Sequence, residues 1–213
     1  MARYLLLAFS LLTVLNLFAQ KKTVQKYATE KQQEAFDRSH DCFKYVSNPF
    51  SQRLKNYPFN KAAQIQLVSF KRHNDTLPGG TVIMGDKDSL PMKNDTICYS
   101  RLFEVKNLTY TQVDKLTDIL YNYGYRKQTK NDGLIYIETT LQCYIPRNAI
   151  LFLDANGKMF EFIEICFECE RTRKSSSKIS LGVMCNQKLD LLKNFFKDAG
   201  LEYGITKGLM TDN

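Results

Sequence analysis

Cys166 and Cys169 form a C-x-x-C pair within "IEICFECERTRK" (residues 163–174), at the end of an apolar run. Three chemistries use such a pair: a dithiol redox centre, half of a thiolate metal site, or ordinary disulfide bridging. A redox pair of the thioredoxin type opens a helix, whose N-terminus lowers the first thiol's pKa; here "ERTRKSSSK" follows, with no apolar helical period. Zinc takes a tetrahedral set of thiolates, and Cys143, Cys166, Cys169 and Cys185 would supply four. The spacing weakens that set, because Cys143 stands alone 23 residues before Cys166 and Cys185 alone 16 after Cys169. Haem attachment needs a histidine after the second cysteine, and Glu170 stands there.

The compartment ranks these readings. Arg3 gives a short positive n-region, residues 4–18 are an apolar run broken only by Ser10, Thr13 and Asn16, and the small residue Ala19 follows. This is the pattern of a secretory signal peptide cleaved after Ala19; the polar "QKKTVQK" comes next, so no membrane span is expected after cleavage. The expected address is therefore secreted or periplasmic. In an oxidising compartment an even count of six cysteines favours disulfides. The leading pattern joins Cys143 to Cys166 or Cys169, the remaining one of these to Cys185, and Cys42 to Cys98. No cofactor is expected on this reading, and zinc on the four-thiolate alternative.

Other chemistry is sparse. His40 and His73 are the only histidines. "SHDC" at Ser39 to Cys42 sets a nucleophile, a base and an acid side by side, but triads are assembled from distant positions, so it reads as a helix end. Glu161 and Glu164 are three apart on a strand and face opposite sides. Arg147 and Glu164 are expected as a cross-strand ion pair, with anion contact as the alternative role of Arg147. No phosphate-binding Gly loop, G-x-S-x-G or H-E-x-x-H is present. Removal of residues 1–19 takes away one cation, Arg3, and no acid, so the formal charge falls from +8 to +7. That balance suits an anionic surface or glycan, although a basic face that only keeps the protein soluble is the simpler explanation. The basic "RTRKSSSK" (171–178) reads as a solvated loop between strands. No nucleic-acid partner is expected.

The elements that would position these residues are clearest in the second half. Thr109-Tyr-Thr-Gln112 is a capping box, and Val113, Leu116, Ile119, Leu120 and Tyr123 recur at helical spacing, so a helix spans 110–123 and stops at Gly124. Gln187 to Ala199 reads as a second helix burying Leu189, Leu192, Phe195 and Phe196. Strands are expected at 63–71, 98–105, 134–141, 149–153, 158–166 and 179–184, with a hairpin turn at Asn156-Gly157. With 154 opposite 157, Arg147 faces Glu164 and Cys143 faces Glu168; a two-residue turn at Asn156-Gly157 puts Cys143 opposite Glu170 instead. A helix within 29–45 is the one element expected in an N-terminal helical and linker segment (20–55), ahead of a single domain over 56–213. The class is α+β: an antiparallel sheet of about four or five strands, helices packed on it, and a C-terminal hairpin carrying the cysteine cluster.

"CYIPRNAILFLDANGKMFEFIEICFECE" (143–170) resembles a pattern of exported bacterial proteins of the Bacteroidetes type: C-Y-x-P-R-[NH], an apolar strand, a Gly turn, then I-C-F-x-C. The resemblance implies an extracytoplasmic address and a clustered set of cysteines, and implies no reaction. Asn148 stands where some of these proteins have His, which removes one possible metal ligand. Asp75-Thr-Leu, Asp88-Ser-Leu and Asp95-Thr-Ile resemble short O-glycosylation sites of such exported proteins. Taken together, the sequence points to an exported, disulfide-stabilised binding or structural protein without catalysis; the alternative is a thiol-based metal or redox protein using Cys143, Cys166, Cys169 and Cys185.

Overall fold

Residues 25–71, 89–126, 132–137 and 143–209 are described by the computed structural model. Its strands in chain order are β1 (Lys26–Tyr27), β2 (Phe43–Lys44), β3 (Gln64–Phe70), β4 (Met92–Lys93), β5 (Thr96–Ile97), β6 (Leu102–Asn107), β7 (Tyr123–Gly124), β8 (Leu134–Ile135), β9 (Asn148–Leu153), β10 (Met159–Cys166) and β11 (Arg171–Lys174). Its α-helices are α1 (Glu30–Ser39), α2 (Phe50–Arg53), α3 (Tyr110–Asn122) and α4 (Lys188–Asp198).

The turn at Asn156-Gly157 forms as its residues dictate. The Asp154 carboxylate accepts the Asn156 and Lys158 amides, each at 2.9 Å, and Gly157 takes the positive φ, +74°, that a side chain would resist. The turn folds β9 against β10, with Phe162 opposite Leu151 and Ile165 opposite Asn148. This is the register of the two-residue turn, reached through a bulge between Met159 and Glu161. β11 and β3 flank the hairpin and β6 closes the far edge, giving an antiparallel five-stranded sheet of order β11-β10-β9-β3-β6. The α+β class is therefore as the sequence implied.

Both faces of the sheet are buried, which is why β9 reads as the unbroken apolar run "AILFL". Ile65, Leu67, Ile150, Phe152, Ile163 and Ile165 meet α3 and α4 through Leu116, Leu120, Leu192, Phe195 and Phe196. Val68, Phe70, Ala149, Leu151 and Phe162 form the second core with Leu90 and Ile97. The Gln112 amide donates to Thr109 Oγ1 at 3.3 Å and the Thr109 amide to Gln112 Oε1 at 2.9 Å, so the capping box starts α3 where expected.

Three strand expectations change. Leu134 to Leu141 contributes only Leu134–Ile135, paired in parallel with β1 outside the main sheet, and residues 138–142 lie outside the described set. Residues 98–105 open with a short 3-10 turn, Tyr99–Arg101, before β6 begins. Ile179 to Met184 is not a strand; Ile179 and Leu181 are buried in the helix-side core, but the chain runs over the end of α3 without pairing. Gly182 makes that path possible, because a Cβ there would lie 2.0 Å from the Leu120 carbonyl oxygen. The last strand is instead β11, drawn from the basic stretch expected as a loop. Its charged side chains suit an open sheet edge.

The segment 25–55 is fastened to the rest. β2 pairs with β7, Asn186 N donates to His40 O at 2.9 Å, and the buried Arg53 guanidinium reaches Asn48 O, Asp114 O and Thr117 Oγ1 at 2.7–3.0 Å. Lys188, fully buried, ties the same region together. Its ammonium donates to the carbonyls of Ile119 (2.8 Å), Leu120 (3.0 Å) and Tyr123 (2.6 Å), and so caps α3 from the start of α4.

Replacing Lys188 with methionine orphans those carbonyls and should cost about 1–3 kcal/mol at pH 7. Burial also pushes the Lys188 amine down from 10.5 to about 8. A base with a lowered folded pKa binds fewer protons than the unfolded chain between those values, so its contribution to stability rises from about pH 8 to 10.5 and is flat below. Urea unfolding of wild type and K188M at pH 7 and pH 10 should show their gap widening at the higher pH. A narrowing gap would mean that the three carbonyls hold the proton on more strongly than burial removes it.

Candidate functional site

The cysteine corner is built at one end of the sheet by residues 143–147 lying along the turn between β10 and β11. Alternate side chains of this extended segment meet the turn. Cys143 is bonded to Cys169, with Cα atoms 5.5 Å apart. The Cys166 thiol donates to the Ile145 carbonyl at 3.3 Å, and Arg147 makes a short ion pair with Glu168. Tyr144, pointing the other way, donates to Glu164 at 3.0 Å. Glu170, at φ +51°, turns the chain into β11. Cys166 is buried and free, and burial pushes its thiol pKa up, so it behaves as a small apolar group with a weak donor.

Two expected pairings are thereby corrected. Cys42 is bonded to Cys185, not to Cys98, with Cα atoms 5.1 Å apart. Cys42 follows α1 on the helix side, where its amide donates to Gln187, whereas Cys98 follows β5, which covers the opposite face; the sheet separates them. Cys185 does not reach the C-x-x-C because residues 179–184 do not run along the sheet. The bridges leave Cys98 and Cys166 as thiols. Among the described residues no group of three or more His, Cys, Asp or Glu is placed to hold a metal ion.

The Arg147–Glu164 pair is corrected too. In the observed register Glu164 lies opposite Ala149 on one side and Arg173 on the other. Glu164 has no exposed surface and is gripped by Arg173 in a fork, at 2.6 Å from Nε and 2.9 Å from Nη2. The Leu90 amide and the Tyr144 hydroxyl complete its shell, a full set of donors for a buried carboxylate. Tyr144 is held above its ordinary pKa, first by burial and then by the Glu164 charge. Glu161 points to the opposite face, as strand geometry requires, and accepts from Tyr57 and Ser175.

"SHDC" assembles no triad. His40 Nδ1 lies 2.8 Å from the Phe36 carbonyl, Ser39 donates to that same carbonyl, and Asp41 accepts from Asn186 and Gln187. Those two amides hold the Asp41 carboxyl below its ordinary pKa. His73, Asp75 and Asp88 lie outside the described residues. Asp95-Thr-Ile sits on the β4–β5 turn, with Asn94 and Asp95 at positive φ and Thr96 exposed.

A cleft of about 700 Å³ opens where α2, the start of α3, the start of β3 and the β9–β10 turn meet. Phe50, Leu54, Ile65, Leu108, Tyr110 and Val113 supply its apolar wall, and Gln64 and Asp154 its polar groups. Tyr110 is 74% exposed and meets the Phe50 ring edge-on, with centroids 4.7 Å apart. Sequence reasoning missed this site, because its lining comes from four elements and Tyr110 read only as the first residue of a helix. Compared with known proteins, the chain matches no family model, no curated protein and no solved structure.

The disulfide arrangement makes a direct prediction. The oxidised protein should weigh about 4 Da less than its all-thiol form, two per bridge. Native alkylation should modify Cys98 well before the buried Cys166. A deficit of about 6 Da, or a Cys42–Cys98 peptide in a digest, would overturn the pairing.

Proposed function

We propose that this is an exported, non-enzymatic binding protein whose two disulfides brace an α+β scaffold and whose ligand site is the cleft beside Tyr110. The cleft carries the reading. Its volume lies in the range of small-molecule sites, its lining mixes apolar side chains with polar groups, and a large aromatic stands exposed at it. Export is supported by the residue pattern of 1–19 and by the two bridges. No helix among the described residues is long and apolar enough to cross a membrane. The partner class is an anionic surface or glycan, drawn by the excess of Lys and Arg over Asp and Glu, that also offers an apolar or ring-shaped group to the cleft.

The second reading, a thiol-based metal or redox protein, has one observation in its favour: Cys166, a free thiol, precedes the bridged Cys169 by three residues in the C-x-x-C pair. Against it, Cys185 is bonded elsewhere and burial keeps Cys166 protonated.

Anilinonaphthalene sulfonate, an aromatic anion, is a suitable first probe. Its fluorescence should saturate at one site per chain, and Tyr110→Ala should weaken binding about five-fold, the loss of one aromatic contact. Tyr110 is too exposed for this change to disturb the core. Unsaturable binding, or equal affinity in the variant, would refute the cleft as the site.

A further inference from the structure

The five-stranded sheet ends in two unlike edges. β11 guards one of them with Arg171, Arg173 and Lys174, the usual defence of an open strand. β6 guards the other poorly: Phe103 is 55% exposed, and Val105 is 41% exposed although it lies opposite the fully buried Val68. The Leu108 amide donates to the Ile65 carbonyl at 2.9 Å, so in this register the bonds toward β3 belong to residues 104, 106 and 108. The N–H and C=O of Val105 and Asn107 therefore point outward, and no backbone group among the described residues meets them. The one irregularity in the pairing stands beside Phe103, at Ser69/Phe70, which leaves 104–107 as a straight edge. Two charges on that edge also lack a counter-ion. Glu104 accepts from Ser69 Oγ at 2.6 Å and from the Glu202 and Tyr203 amides at 3.0 and 3.1 Å, while Lys106, two residues on and on the same face, is exposed. Neither makes an ion pair among the described residues.

We propose that β6 is the contact of a homodimer, pairing antiparallel with β6 of a second copy about a two-fold axis at Val105, so that the two sheets become one. The outward-facing residues must supply the bonds, so odd-numbered residues pair with odd, and charge selects among the registers this allows. With the axis on Val105, Glu104 of each copy faces Lys106 of the other, and the contact holds two cross-strand ion pairs. Moving the axis to residue 104 or 106 sets Glu104 against Glu104 or Lys106 against Lys106. On the other face Val105 meets its own copy, and the exposed Phe103 lies beside Asn107 of the second copy. Such a contact closes on itself, so it covers the apolar edge without leaving a new one. β11 cannot serve in the same way, because pairing it with its own copy would bring its cations together.

Sedimentation equilibrium of the purified protein over a concentration series should show monomer and dimer and nothing larger. Val105→Pro removes the outward N–H and no bond of the β3 ladder, a place where an edge strand tolerates proline, and should leave a folded monomer. Lys106→Glu sets two carboxylates opposite one another at both ends of the contact and should weaken the dimer about ten-fold. Lys106 is exposed and makes no ion pair within the chain, so this second variant keeps the test decisive if the proline variant does not fold. Circular dichroism of each variant reports its fold. A wild-type protein that stays monomeric up to about 1 mM would overturn the proposal. So would growth beyond the dimer, or a folded variant of either kind that dimerises as tightly as wild type.

Discussion

The packing of the helices on the sheet depends on one buried cation. Lys188 stands at the first turn of α4, where its charge opposes that helix's own dipole, yet its ammonium is directed to three carbonyls at the C-terminal end of α3. A helix end buried without donors would be costly, and α3 ends beneath the chain that leads into α4. The lysine removes that cost and locks the two helices in one relative position. The same corner carries β2 against β7 and the Cys42–Cys185 bridge, so the N-terminal segment is anchored where the lysine acts. A bridge spanning 143 residues restrains the unfolded chain strongly, which complements a polar contact that acts only in the folded one.

At the β11 edge of the sheet the logic repeats with reversed charge. Glu164 is fully enclosed and would be a liability alone; Arg173, Tyr144 and the Leu90 amide together make it a fastening. This explains why a basic stretch becomes a strand. β11 is held not by apolar burial but by a fork from Arg173 across to β10, with Lys174 donating to the Ile179 carbonyl as well. The residues of the C-Y-x-P-R and I-C-F-x-C stretches converge here: Cys143, Tyr144 and Arg147 each find a partner on β10 or its turn. Those stretches are therefore first of all a clamp between two strand ends, with the buried Cys166 thiol donating to the Ile145 carbonyl inside it.

The cleft lies away from both fastenings, between the start of α3 and the hairpin turn. Such a placement lets the walls be rigid while the opening stays unfilled. Arg53 steadies one wall, tying α2 to α3 through the Asp114 carbonyl and Thr117, and Asp154 steadies the other through its turn. Cleft and fastenings are thus separable parts of the fold.

By itself the sequence determined the elements whose energies are local. The capping box at Thr109, the helical spacing of Leu116 to Leu120, the extent of the last helix within 187–199 and the Asn156-Gly157 turn were all legible, because each depends on residues within a few positions of one another. The separation of Glu161 from Glu164 followed from strand alternation in the same way. What tertiary structure alone decided were the matters of distance between remote residues: Cys42 with Cys185 rather than Cys98, Arg147 with Glu168 and Arg173 with Glu164, β11 in place of 179–184, the role of Lys188, and the cleft. A cysteine or a charge carries no local signal of its partner. The sheet, buried on both faces, chooses partners by which side of it each residue falls on, and the bulge in β10 sets the register that Arg147 and Glu164 would have had to share.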